Sequence, residues 1–176
     1  DRISRSLRDA LPNTVRVAGG CLEFVPVAAA SIYRTLPVAA AATSFRVVAF
    51  DSLPIPAGSR AVVYPSHLLY SGGSPGAMSQ AVTASLPDAN NEVTLTMAAA
   101  HQFTAESPSR RVFLVHNPIS YCVDGGRLWR YENYGFRAAQ PGPGDLPATR
   151  PDRVLIAESV NSVTPFLVET ATLARN

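Results

Sequence analysis

Hydrophobic and polar positions change their period once along this chain. In the first eleven residues Ile3, Leu7, Ala10 and Leu11 recur at three- and four-residue spacings while Arg2, Arg5 and Asp9 point elsewhere. That spacing predicts an amphipathic helix over 1–11, since one apolar stripe at period 3.6 is what a helix needs to pack on something else. Asp1 and Arg5 add an acid-before-base pair at i,i+4, and Pro12 stops the helix by driving Leu11 out of the helical region. The pattern runs straight into residue 1, so the expectation is the end of a longer helix. The alternative is a short terminal helix with Asp1 as its cap.

From residue 14 onward the pattern is of short apolar or alternating runs: 14–18, 21–27, 31–36, 44–50, 60–64, 92–98, 111–116, 119–124 and 127–134. Each is of strand length and bounded by Gly, Pro, Asn or Asp, which predicts a mostly antiparallel β architecture in a single domain over 1–176. In 44–50, Phe45, Val47 and Ala49 share one face opposite Arg46, so that strand has a wet side. Residues 112–115 are apolar throughout and predict an interior strand. The segments 54–59, 70–76 and 140–151 read as loops by composition. The sharpest local feature is a hairpin at Asp124-Gly125-Gly126. With Gly125-Gly126 as the two-residue turn, Asp124 faces Arg127, Val123 faces Leu128 and Cys122 faces Trp129; that register keeps apolar and opposite-charge partners together. With Asp124-Gly125 as the turn, Cys122 would face Arg127 instead.

Composition supports a folded domain and narrows its partners. Leu, Ile, Val and Phe make up about a quarter of the 176 residues, above the roughly 20% below which chains stay disordered. Charged residues are 16% and the net charge is +2, too little positive charge for a phosphate-tracking surface, so no nucleic-acid partner is expected. All fifteen basic residues are Arg. No secretory signal or uninterrupted spanning run is visible within the sequence.

Two cysteines, Cys21 and Cys122, lack the company that a zinc or CxxC redox site requires. A disulfide, two buried thiols and a reactive thiol remain open on the residues alone. A disulfide would close a loop of about 100 residues, worth about 4.7 kcal/mol on chain-entropy grounds, and would imply an oxidising compartment.

Other constellations are weaker. Residues 72–76 match G-x-S-x-G, and Asp88, His101 and His116 follow in the order of a hydrolase triad. The match fails on mechanism, because the residue after Ser74 is Pro75, which has no N–H for an oxyanion hole. His67, His101 and His116 lie too far apart in sequence to suggest a metal site. Asp145 and Asp152 could join only an irregular calcium loop. No phosphate-cradling glycine motif is present, and no cofactor, metal site or enzymatic activity is expected. Along 127–137, Trp129, Tyr131, Tyr134 and Phe136 alternate with Arg127, Arg130 and Arg137. Sheet packing with cation–π support, a protein-protein surface through Trp129, Arg130, Tyr131 and Tyr134, and a ligand surface are the three readings, in that order.

Two stretches together resemble a known family. Arg8-Asp9-Ala10-Leu11-Pro12-Asn13-Thr14-Val15-Arg16, Cys21-Leu22-Glu23-Phe24-Val25-Pro26-Val27 and Tyr33-Arg34, with Pro118-Ile119-Ser120-Tyr121-Cys122 and Gly126-Arg127-Leu128-Trp129-Arg130-Tyr131, resemble the soluble part of a minor pilin of the MSHA-type type IV pilus. The likeness covers about a third of the chain, and 37–110 carries none of it. It implies an α+β, pilin-like fold, with an N-terminal helix stub packed on a mainly antiparallel sheet through Ile3, Leu7 and Leu11. It also implies a Cys21–Cys122 clamp. A membrane-spanning half-helix ahead of residue 1 and an inner-membrane, then fibre, location follow from the same likeness. Its partners are other major and minor pilins, met through non-enzymatic subunit packing. The related alternatives are a minor pseudopilin of a type II secretion system and a secreted adhesive or ligand-binding β-domain.

Overall fold

The computed structural model describes residues 2–51, 53–65, 67–162 and 165–167. In chain order the described residues form α1 (Arg2–Arg8), β1 (Arg16–Ala18), β2 (Cys21–Phe24), β3 (Val27–Ile32), β4 (Ala42–Val48), β5 (Arg60–Val62), β6 (Met78–Ala84), β7 (Glu92–His101), β8 (Arg111–Val115), β9 (Ile119–Asp124), β10 (Arg127–Tyr131) and β11 (Arg153–Ala157). Two short 3₁₀ turns, His67–Ser71 and Pro143–Asp145, punctuate the connections.

The strands sort into two antiparallel sheets. The first has the order β1-β2-β9-β10-β11 and the second β3-β8-β5-β6-β7-β4. Pro26 separates them: it lacks the N–H that would continue β2, and the chain enters β3 one residue later. The strand expected at 31–36 therefore begins four residues earlier. In the second sheet, alternation decides the burial. Phe45 and Val47 on β4, and Val93, Leu95 and Met97 on β7, turn inward, while Arg46 and Thr96 face water. The outer strands β3 and β4 meet at a Tyr33–Val47 bridge, where Ser31 Oγ donates to the Val48 carbonyl at 2.7 Å. That contact curls the sheet around Phe45, Leu95, Phe103 and Leu114, short of a closed barrel. Leu11, Val25, Val62, Tyr70 and Val115 fill the space between the sheets.

The α+β, pilin-like expectation is corrected by this architecture, which is mostly antiparallel sheet, with one short helix among the described residues. Helix α1 has only seven residues, because Ala10 already bridges to Pro26 and the Leu11 N–H donates to the Val25 carbonyl at 2.8 Å. Two turns cannot cover a sheet. Meanwhile 37–110, which contributed nothing to the likeness, builds four strands of a second sheet with the larger core. Asp1, offered as a cap and as the partner of Arg5, lies outside the described residues.

Candidate functional site

The first sheet brings together most of the residues singled out by sequence. Gly125 and Gly126 form the hairpin turn with φ of 57° and 70°, the left-handed region that glycine enters without a Cβ penalty. The register that follows pairs Asp124 with Arg127, Val123 with Leu128 and Cys122 with Trp129, as the charge and apolar pairing predicted. On the other side of β9, Cys21 lies directly opposite Cys122 on β2, and the two form a disulfide with Cα atoms 4.1 Å apart. The bridge thus ties two strands 101 residues apart in sequence. Both cysteines are fully buried and pack with Tyr131 and Leu146, with Trp129 and Tyr134 against them.

Next to the disulfide sits a charge that the sequence reading did not single out. Strand alternation puts Glu23 on the same face as Cys21, and its side chain is 0% exposed. Arg16 on β1, directly opposite Glu23, supplies the countercharge through its Nε. The same guanidinium donates to the Ala138 carbonyl at 2.7 Å and the Arg137 carbonyl at 2.8 Å, and lies 3.7 Å over the Tyr70 ring. Tyr134 Oη donates to Glu23 Oε1 at 2.8 Å, and Ser120 Oγ lies 2.8 Å from that phenol. With the Tyr134 proton given to Glu23, Ser120 is the donor to Tyr134. Burial pushes the Tyr70 and Tyr134 phenols well above their ordinary range, and the Glu23 charge pushes them further. Both stay protonated, and Tyr134 remains a donor. Gln140 Nε2 completes the cover by donating to the Cys21 carbonyl at 3.0 Å. This network pins the loop after β10 over the disulfide. Its one visible sign in the sequence is a carboxylate inside an apolar strand run, two residues from a cysteine.

The opposite face of the first sheet carries the helix. Ile3 and Leu7 pack on Leu22, Phe24 and Tyr121, and Ser6 Oγ lies 3.1 Å from Tyr121 Oη. Leu11 belongs elsewhere: it is fully buried between the two sheets with Val25 and Val115. The group Trp129, Arg130, Tyr131 and Tyr134 is split by the same alternation. Trp129 and Tyr131 turn toward the disulfide, with Arg153 held 3.9 Å over the indole, and Tyr131 is 1% exposed. Tyr134 joins Glu23. Arg130 alone of the four faces the helix side, where it pairs with Glu132 at 2.8 Å.

The remaining constellations do not assemble into a reactive centre in the described residues. Ser74 Oγ accepts the Gln102 N–H at 3.1 Å, His101 Nε2 lies 3.1 Å from the Gly76 carbonyl, and Asp88 pairs with Arg46. His116 is half-buried beyond β8, and Asp152 accepts from Asn133 Nδ2 at 2.7 Å. The His67 side chain lies outside the described residues. Among them, no three His, Cys, Asp or Glu side chains come together as metal ligands, and no helix is long and apolar enough to cross a membrane. No family model, curated protein or solved structure matches the chain.

Proposed function

We propose that the protein is a non-catalytic subunit of an extracellular filament, a minor pilin of the MSHA type that helps start assembly by oriented packing. One observation carries the reading. The cysteine-bearing parts of the two stretches that resemble this family, about a hundred residues apart in sequence, lie on neighbouring strands β2 and β9 joined by Cys21–Cys122. Helix α1 rests on the other face of those same strands through Ile3 and Leu7. A likeness spread over two distant segments gains weight when both belong to one packed unit. The six-stranded second sheet lies largely outside the likeness.

In mechanical terms, the disulfide and the Glu23–Arg16 network hold the sheet rigid, so that a helix docked on it transmits orientation to neighbouring subunits. A helical segment ahead of α1 would anchor the subunit in the inner membrane before it enters the fibre. Other pilins are the partners, and the compartment is periplasmic and then extracellular, where a disulfide persists. The test is deletion of the gene in the cells that make the protein, with surface filaments counted by electron microscopy and the protein followed by antibody. The reading expects fewer filaments and antibody signal in the inner membrane and in sheared filaments. A cytosolic protein whose deletion leaves filaments unchanged overturns it. Loss of protein secretion with filaments intact would instead favour the pseudopilin alternative.

A further inference from the structure

Between α1 and strands β9, β10 and β11 of the first sheet lies a cleft of about 360 Å³ lined by Arg2, Ser6, Tyr121, Arg130, Val154 and Ile156. We infer that this cleft binds a carboxylate carried on a short aliphatic stem. Its chemistry comes from two elements far apart in sequence: Arg2 from the helix and Arg130 from β10. Two like charges that share a cleft repel each other unless an anion sits between them. Glu132 balances one of them, at 2.8 Å from Arg130. The lining with Glu132 therefore keeps one net positive charge, which matches a monoanion better than a phosphate dianion.

The hydroxyls set the geometry rather than binding the ligand. Ser6 Oγ donates to the Arg2 carbonyl at 3.1 Å, so the 3.1 Å contact to Tyr121 uses the phenol proton. Both protons are spent, and they fix the helix to the sheet with Arg2 at the rim. The Arg2 guanidinium and the side of Arg130 turned away from Glu132 remain to meet the anion, and a planar fork suits a carboxylate. Val154 and Ile156 supply an apolar wall where a methylene stem loses water. An acidic side chain of another polypeptide and a free short-chain fatty acid both present this group. The cleft's chemistry stands whether or not the chain is a filament subunit.

The test is an NMR titration of the full 176-residue, ¹⁵N-labelled chain with blocked glutamate (N-acetyl-glutamate N-methylamide), with butyrate, and with the matching blocked glutamine. The inference expects saturable shifts at the Arg2 and Arg130 side-chain N–H groups, with a dissociation constant of about 1 mM. It expects no such shifts from blocked glutamine. Arg130→Gln and Arg2→Gln, each with the parent's peak dispersion, should weaken binding at least about tenfold. If Arg130→Gln fails to fold, Arg2→Gln at its exposed helix position decides alone. Saturation by blocked glutamate points to a protein-borne carboxylate, and saturation by butyrate only to a free acid. Non-saturating shifts, an equal response to blocked glutamine, tighter binding of inorganic phosphate, or unchanged affinity in the folded variants would each overturn it.

Discussion

The two sheets are made of the same antiparallel ladders, yet they hold their interiors by different means. The six-stranded sheet curls around thirteen buried apolar residues, and the buried polar side chains beside them, Ser59, Ser79, His101 and Ser107, include no carboxylate or guanidinium. Its stability comes mainly from apolar area and close packing, with neutral hydrogen bonds such as Ser107 N–H to Tyr33 Oη at 2.9 Å satisfying the few buried polar groups. The five-stranded sheet divides its apolar residues between two small clusters on opposite faces. Into one of them it places a disulfide, the Glu23 carboxylate and the Ser120 hydroxyl. A buried ion pair adds little net stability over an apolar pair of similar shape, but removing one partner is costly. The second sheet is thus a core held mainly by apolar packing. The first is a stapled platform whose shape depends on specific bonds, and it is the one that carries the helix.

The largest effect should come from removing the staple. Cys21→Ala with Cys122→Ala should cost about 4 kcal/mol in urea unfolding. Amide exchange should rise first in β2 and β9 while β7 and β8 stay protected; uniform loss across both sheets would break the distinction. In the second sheet, Leu95→Ala should cost about 3 kcal/mol through a cavity, with β9 and β10 exchange unaffected at low denaturant. Arg16→Met leaves Glu23 buried without its countercharge and should cost about 3 kcal/mol, at the low end for a buried pair because Arg16 is itself partly exposed. Adding Glu23→Gln should recover part of that loss, and strictly additive costs would show that the two side chains do not act as a pair.

Smaller effects sharpen the picture. Gly125→Ala, at φ 57°, should cost about 1 kcal/mol while nothing crowds the new Cβ. An unchanged midpoint in urea would show that the turn does not need glycine. The smallest concerns His101, packed against Phe103 with ring centroids 4.7 Å apart. Burial holds its folded-state pKa below the ordinary 6.5, and the bond to the Gly76 carbonyl only partly offsets this. A depressed folded value means its contribution is complete above pH 6.5 and is lost as pH falls below that toward the folded value. His101→Gln should therefore flatten the decline in stability between pH 7 and pH 5; an identical slope would remove His101 from that account.

The sequence disclosed most where local chemistry dictates geometry. The Gly125-Gly126 turn fixed the hairpin register because glycine takes positive φ and the cross-strand pairs agreed with only one alignment. Strand β9 was legible to the residue, and the wet face of Arg46 followed from alternation. Strand β6 went unseen because Met78–Ala84 alternates small and polar residues with few bulky ones. Strand β11 went unseen because its five half-buried residues follow a Pro-rich loop with no turn motif. The Glu23 network was invisible for another reason: its partners Arg16, Tyr70, Ser120 and Tyr134 come from four separate segments, and only the tertiary fold makes them neighbours. The family likeness misled on architecture because it came mostly from the first sheet, touching the second only at Val27 and Tyr33-Arg34, while the second sheet is built largely from residues that carry none of it.

Peptide mapping by mass spectrometry of the native protein, purified from the membranes and sheared filaments of the cells that make it, tests the filament account most directly. The account predicts a processed N-terminal stretch of about 20 apolar residues running without interruption into α1. A native protein found only in the cytosol, with no apolar stretch joined to α1, would contradict it.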